Sequence, residues 1–494
     1  MSHTFPHPLY SRTVLIPAYD DAQAYLFGPM TDAHEAHTVM LAEAGIISAE
    51  NAKAILQAVA EIRADGPDAL AYQPGVEDLF FRMETAIIQR TGPDFGGNLQ
   101  LARSRNDLGH ALARQALRLT ILDLHSDLLA LRQAVLDLAA AHTETLMPGY
   151  THTQPAQPIT FAHYLAGVLS FLAKDNIRIA QAYANMNESP LGAAAFTGTG
   201  FDIDRGRVAE LLGYDTVIPS TQHCIGAGDH LTDTAFAVQS LAIGLGRVTK
   251  DLLFLATQES GALHIHDSFI QISSIMPQKR NPVVLEHLRA RLSRAVGYAQ
   301  TVVIQCHSIP YGDTQDIEDE ILPPIYAALH TMRECVQLYT SVFDTLTLNG
   351  DHLRQRAGEG FTTATELADA LVREAGLPFR TAHKIVSTLV KSAVAAGKGS
   401  TELDFPMLQA AMQTVLGRAI DFSVAQFAAA LDPVAFVSAR KGLGGVAPAA
   451  TGAVLDTQSA AVEADAAWLL STQNRLAAAQ IARQQAVAAY LKVS

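Results

Sequence analysis

The longest regular pattern in the chain lies between residues 110 and 147. Leu117, Ile121, Leu124, Leu128, Leu131, Val135 and Leu138 recur at spacings of three and four, and neither Gly nor Pro interrupts them. This is the apolar stripe of an amphipathic helix. Such a helix spans roughly 57 Å at 1.5 Å per residue, longer than a compact globular domain needs, and so predicts a long bundle. Helical patterns also cover residues 159–188, 229–259, 283–309 and 325–349, which makes five long helices.

Shorter patterns surround the five. Residues 1–20 read as an irregular arm. Short helices follow over 22–64, with Asp32 or Ser48 as caps, then over 76–90 and 203–212. Asp65-Gly66-Pro67, Thr91-Gly92-Pro93 and Pro148-Gly149 break the helices, and the Gly-, Ala- and Thr-rich stretch 190–200 reads as a tight connection. Past Gly350 the helices shorten. The Ala- and Gln-rich tail, 459–492, is helical in pattern and either docks on the core or frames an oligomer contact. The expected units are an N-terminal helical domain (1–108), the bundle (109–355) and a C-terminal helical domain (356–494).

Composition supports helix over strand: 49% of residues are apolar but only 7% aromatic. A net charge of −14 with no basic run argues against nucleic acid as a partner. Cys224, Cys306 and Cys335 are far apart and form no CxxC pair, as in a reduced cytosolic protein. His264 and His266 form an H-x-H that nothing nearby completes into a metal site. The first twelve residues lack the apolar core of a signal peptide, and no apolar run approaches membrane-spanning length. The expectation is a soluble, cytoplasmic, all-α protein. No strand-borne GxGxxG or GxxxxGK[ST] occurs, so no organic cofactor is expected.

Candidate chemistry sits in three polar segments. Ser273-Ser274-Ile275-Met276-Pro277-Gln278-Lys279-Arg280-Asn281-Pro282 gathers two hydroxyls, an ammonium, a guanidinium and an amide, and its prolines keep it out of a continuous helix. Such donors suit an anion that gains charge in a transition state. Gly96 to Asp107 is a second polar segment, leading into the first long helix with Arg105 and Asn106 near its end. Tyr150 to Pro158 reads as a third, a loop carrying Thr151, His152 and Gln154.

Ala102–Asp107, Met147–Gln154 and Ser273–Pro282 together resemble the three signature regions of the aspartase/fumarase superfamily, and of its argininosuccinate lyase branch in particular. Similar stretches at 190–193, 203–205, 360–369, 378–383 and 444–448 extend the resemblance over most of the chain. The resemblance implies a three-domain, all-α fumarase/aspartase-like fold with a central bundle of five long helices. Four subunits would pack these into a twenty-helix core, each active site drawing on three subunits. It implies a carbon–nitrogen lyase that releases fumarate from an N-substituted aspartate through an aci-carboxylate dianion, with argininosuccinate as the family default and with no metal.

By the same resemblance Ser273 is the catalytic base and Lys279 supplies a field that favours its alkoxide. His152 is the acid, acting directly or through water. Arg105, Asn106, Thr151, Gln154, Ser274 and Asn281 are substrate ligands, Arg105 by its bidentate fork. Tyr311 and Asp316 face the amine half.

The chain departs from the branch at several positions. Ile272 stands where the family has Gly, and a β-branched residue resists positive φ. Gln100-Leu101 replaces His-Thr, Phe80 replaces a His, and Met30 and His34 stand for Asp and Ser. After Tyr311, where the branch carries a Gln and a Lys, this chain has Asp316, Glu318, Asp319 and Glu320. Anions there favour a polyamine-like or otherwise cationic leaving group. Three alternatives stay open: a lyase for another N-succinyl amine or aminopolycarboxylate, in the manner of ethylenediamine-disuccinate lyase; a non-catalytic, crystallin-like scaffold; and adenylosuccinate lyase or fumarase chemistry.

Overall fold

The structure, a computed structural model, describes residues 5–492. It is 72% helical, and among the described residues the strands form only two-stranded ladders, so the fold is all-α. Helical turns begin at Pro8 and run without a break into α1 (Ile16–Glu43), so the irregular arm expected over 1–20 is helical from Pro8. Residues 1–4 of that arm lie outside the described residues. Asp32 is not a cap: it lies inside α1, where its carboxylate pairs with Arg63 at 2.7 Å and Arg483 at 2.8 Å. Ser48 does cap α2 (Ala49–Asp65), accepting from the Asn51 N–H, and Gly66 ends that helix at φ +82°. Asp78 caps α3 (Leu79–Thr91) in the same way, accepting from the Phe81 N–H at 3.0 Å. Leu41, Ile55, Val59, Met83 and Ile87 form the core of this N-terminal unit.

The first bundle helix, α4, runs over Arg105–Ala141. It begins five residues before the apolar pattern does, because a Ser104–Asp107 capping box satisfies its first N–H groups. Its 37 residues span about 55 Å. Leu117, Ile121, Leu124, Leu128, Leu131 and Val135 are fully buried. Each contributes roughly 1.5–3 kcal/mol by leaving water.

Residues 142–158, expected as a helix end and a loop, instead contain a β-hairpin. β1 (Leu146–Thr151) pairs antiparallel with β2 (Gln154–Thr160). Pro148, Pro155 and Pro158 hid it from the sequence. A two-stranded hairpin leaves each strand an unpaired edge, where a missing N–H costs little.

Thr160 then caps α5 (Phe161–Met186). After α6 (Arg205–Leu212) come α7 (Asp229–Leu255), a second small hairpin of β3 (Gln271–Ile272) and β4 (Arg280–Asn281), α8 (Val283–Cys306) and α9 (Leu322–Thr345). The five long helices close into a ring in the order α4, α5, α7, α8, α9 and back to α4, with α7 also touching α9 across it. One continuous apolar core fills it.

Four shorter helices, α10 (Ala364–Ala375), α11 (Phe379–Ala395), α12 (Phe405–Leu416) and α13 (Val424–Leu431), enclose a separate core around Leu371, Ile385, Leu389 and Phe427. The last helix, α14 (Pro448–Leu491), returns along the bundle. Leu455, Val462 and Leu469, seven residues apart, form its buried seam. Arg132, fully buried, meets Asp465 at 2.5 Å, and Arg483 meets Glu35 at 3.1 Å. Among the described residues no helix is long and apolar enough to cross a membrane.

Candidate active site

Ser273 sits just past β3, in the loop that β3 and β4 close. Gln271 pairs with Asn281 and Ile272 with Arg280, and the Arg280 guanidinium is held by Asp267. The Ser273 Oγ accepts hydrogen bonds from two backbone N–H groups, those of Met276 at 3.0 Å and Ile275 at 3.3 Å. Two fixed donors aimed at one oxygen stabilise its alkoxide more than its neutral hydroxyl, which strengthens the serine as a base. Lys279 donates its backbone N–H to the Met276 carbonyl at 3.0 Å, and its exposed ammonium forms no hydrogen bond or ion pair among the described residues. Ser274 is exposed and Asn281 half-buried. Ile272 lies in extended β3, so the positive φ that a β-branched residue would resist is not required here.

His152 and Thr153 form the two-residue turn between Thr151 and Gln154. Both have left-handed backbone, with φ of 51° and 61°. Hairpin turns of this type usually carry Asn-Gly, so each of these residues stores roughly 1–2 kcal/mol of strain. A bulge between Gly149 and Tyr150 bends the strand behind the turn. Gly149 passes close to its partner strand, and a Cβ there would lie 3.1 Å from the Gln157 carbonyl. Thr151, His152 and Gln154 are all exposed at the tip.

The third segment opens α4. Its organiser is buried Asp107, which accepts from the N–H groups of Ser104 (2.9 Å), Gly192 (2.9 Å) and Ala194 (3.1 Å), tying the signature turn to the 190–200 connection. Asn106 donates its N–H to the Ser104 Oγ at 2.9 Å. Arg105 reaches Asp78 at 3.0 Å and Glu77 at 3.3 Å. Buried Arg103 donates twice to the Gln100 side-chain oxygen, Oε1, at 3.2 and 3.0 Å, and burial lowers its pKa to about 10. The departure at Gln100 therefore has a structural use.

A cavity of ≈ 80 Å³ opens beside Arg105. Met30 and Phe80, two of the positions that depart from the branch, line it together with Asp78, His110 and Asp319. Burial pushes the Asp319 carboxyl up to about 6, reinforced by Asp78 and Glu320. Burial also raises Asp78, against the pull of the Phe81 N–H and Arg105. Asp316 is exposed at the first position of the acidic turn and is not part of the cavity lining; Asp319 is the carboxylate that is. Tyr311 packs over the turn at Gly226, and its hydroxyl meets His223 Nδ1 at 2.6 Å. Sequence reasoning missed Asp78 and His110. An Asp directly before the apolar turn of α3 was the available signal for Asp78.

These groups occupy two ends of the bundle. Arg105, Asn106, Tyr311 and the cavity lie at the end where α4 and α7 begin, with His230 and Leu231 of α7 in the cavity wall. The β1–β2 hairpin lies at the far end of α7, where Tyr150 packs edge-on against Phe254. Ser273 follows that same end. The 27 residues of α7 separate the two ends by about 40 Å. One chain therefore does not bring Ser273 to Arg105.

A family model described as lyase matches residues 22–297, more than half of the chain, and the protein belongs to that family of enzymes. Its branch is that of argininosuccinate lyase, whose C-terminal model matches residues 361–438. Argininosuccinate lyase 2 of Agrobacterium fabrum is 39% identical over 446 residues, covering 90% of this chain and 88% of that one. Argininosuccinate lyase of Halobacterium salinarum is 40% identical over 451 residues, 91% of this chain and 90% of that one. Among solved structures, EDDS lyase in complex with formate superposes with a TM-score of 0.86 at 32% identity, covering 98% of this chain and 96% of that one.

Proposed function

We propose that the protein is a carbon–nitrogen lyase that splits an N-substituted aspartate into fumarate and an amine. Ser273 takes the proton from the carbon beside a carboxylate. The electrons collect on that carboxylate as an aci-carboxylate dianion, held by Ser274, Asn281 and the positive charge of Lys279. The dianion then collapses, the C–N bond breaks, and His152, directly or through water, protonates the leaving nitrogen. Thr151, Gln154, Arg105 and Asn106 hold the succinyl carboxylates, and Tyr311 faces the amine half.

The observation that carries this reading is the Ser273 oxygen held by two backbone N–H donors. A base too weak in its ordinary state is thereby given a stabilised conjugate form.

The working enzyme in this reading is a cytoplasmic homotetramer, each subunit built from units 1–108, 109–355 and 356–494. The 40 Å gap within one chain supports sites shared between subunits. Exposed apolar side chains on the bundle, including Ile177, Phe236, Ile243 and Ile304, support burial of its faces against partner copies.

The test follows fumarate release by ultraviolet absorbance, with argininosuccinate as the reference and other N-succinyl amines beside it. Ser273→Ala should lower kcat by about 10²–10⁴-fold without lowering stability. A Ser273→Ala enzyme that keeps its rate on a turned-over substrate would remove the serine from the mechanism. Refolding Ser273→Ala together with Arg105→Gln, whose residues lie at opposite ends of one chain, should restore part of the activity that each lacks alone; no restoration would count against shared sites.

A further inference from the structure

Resting on the lyase reading above, we infer that the cavity beside Arg105 receives the amine half of the substrate, and that this half is a short aliphatic chain ending in an ammonium group and lacking a carboxylate.

Three features of the cavity lead there. Its walls are mostly apolar, with Leu26, Met30 and Phe80 among them, which suits methylene groups. Its charged lining is unbalanced. Asp78 and Asp319 both face it, Glu77 and Glu320 add to the field at Asp319, and Arg105 is the cation that offsets them. A carboxylate entering here meets repulsion, whereas an ammonium neutralises the excess of carboxylates over cations among the described lining residues. Finally, the lining holds a buried polar atom that no group among the described residues satisfies. His110 is 3% exposed, and its Nε2 has no hydrogen-bond partner among the described residues; a carboxylate oxygen of Asp313 is 3.7 Å away. Buried ring nitrogens without partners are costly, and a bound N–H donor would satisfy this one in its acceptor tautomer.

The same lining argues against an amino-acid head. Arginine as the leaving amine carries an α-carboxylate that needs a cationic or hydroxyl partner. Where the branch carries a Gln and a Lys after its Tyr, this chain has the acidic run 316–320, and Asp319 of that run lines the cavity. The substrate class is then an N-(ω-aminoalkyl)aspartate. Elimination breaks its C–N bond, leaves the electron pair on the nitrogen with one proton, and gives fumarate and a diamine.

The experiment compares kcat/KM of the full-length enzyme for N-(4-aminobutyl)aspartate, N-butylaspartate and argininosuccinate, and measures butane-1,4-diamine binding by calorimetry. The aminobutyl compound should exceed each of the others by at least about tenfold, the effect of one well-placed charged hydrogen bond. Asp319→Asn should shrink its advantage over N-butylaspartate by about the same factor and weaken diamine binding in parallel. Equal or better turnover of argininosuccinate, or an aminobutyl-to-butyl ratio unchanged in Asp319→Asn, overturns the inference while leaving the lyase reading intact. If none of the three compounds yields fumarate, the lyase reading is what fails. Diamine binding that depends on Asp319 then still supports the cavity's assignment, and absence of binding overturns it.

Discussion

Asp319 should destabilise the ligand-free protein, and by an amount that depends on pH. Its carboxyl is raised from 3.8 to about 6, first by burial and then by the carboxylates of Asp78 and Glu320. The folded value lies above the unfolded one, so between about pH 4 and 6 the folded chain holds the proton more firmly. Stability therefore falls as pH rises through that window, and the full cost is present above it. Converted at 1.36 kcal/mol per pH unit, the shift corresponds to roughly 3 kcal/mol. Partial exposure of the side chain screens this to about 1–2 kcal/mol. Asp319→Asn keeps the shape and removes the charge. At pH 8 it should be more stable than the parent by about 1–2 kcal/mol, and at pH 4 the two should coincide. With unfolding entropy near 2 cal/mol/K per residue, a cooperative chain of this size gains only about 1–2 °C in Tm. Urea unfolding at a series of pH values is therefore the better assay. A variant that is no more stable at pH 8, or that gains equally at pH 4 and 8, would refute the reasoning. A group that costs stability yet faces a cavity fits a ligand-binding role, since a bound cation would reverse its sign.

Two further outcomes come from buried polar groups. Burial depresses His125 to about 4 and His230 to about 3, and holds His34 and His37 well below their ordinary value. With folded values below 6.5, these residues contribute stability above that pH and withdraw it as the pH falls. The urea midpoint should therefore drop steeply from pH 6.5 toward 4, opposite in sign to the Asp319 contribution; a flat profile would contradict the burial of these rings. Asp107→Ala strips three half-buried N–H groups of their acceptor and should cost about 3 kcal/mol in urea unfolding, while also loosening the turn that carries Arg105 and Asn106. Asp107→Asn, which keeps one acceptor oxygen, should recover part of both stability and kcat/KM; a variant with normal stability and impaired kcat/KM would show the carboxylate acting on substrate instead.

The five long helices were legible in the sequence because a single helix exposes its buried face as spacing. The Leu117–Val135 stripe, the cap at Ser48 and the breaks at Gly66 and Gly92 are local properties, and tertiary packing left them in place. The β1–β2 hairpin was not legible. Its prolines forbid a central strand, and only a pair standing alone tolerates them, a fact about neighbours in space rather than in sequence. The start of α4 was displaced for a related reason: the Ser104–Asp107 box is polar, so periodicity cannot see it. For the candidate site, the residue types and their three segments could be read from the chain. That Met30, Phe80, Asp78 and Asp319 line one cavity could not, because they come from three separate stretches that converge only when α1, α3 and the acidic turn pack at the head of α4. The sequence alone thus determined which side chains are available for chemistry. Only the tertiary structure decided how they are divided, since the rigid length of α7 holds the serine loop about 40 Å from the arginine turn.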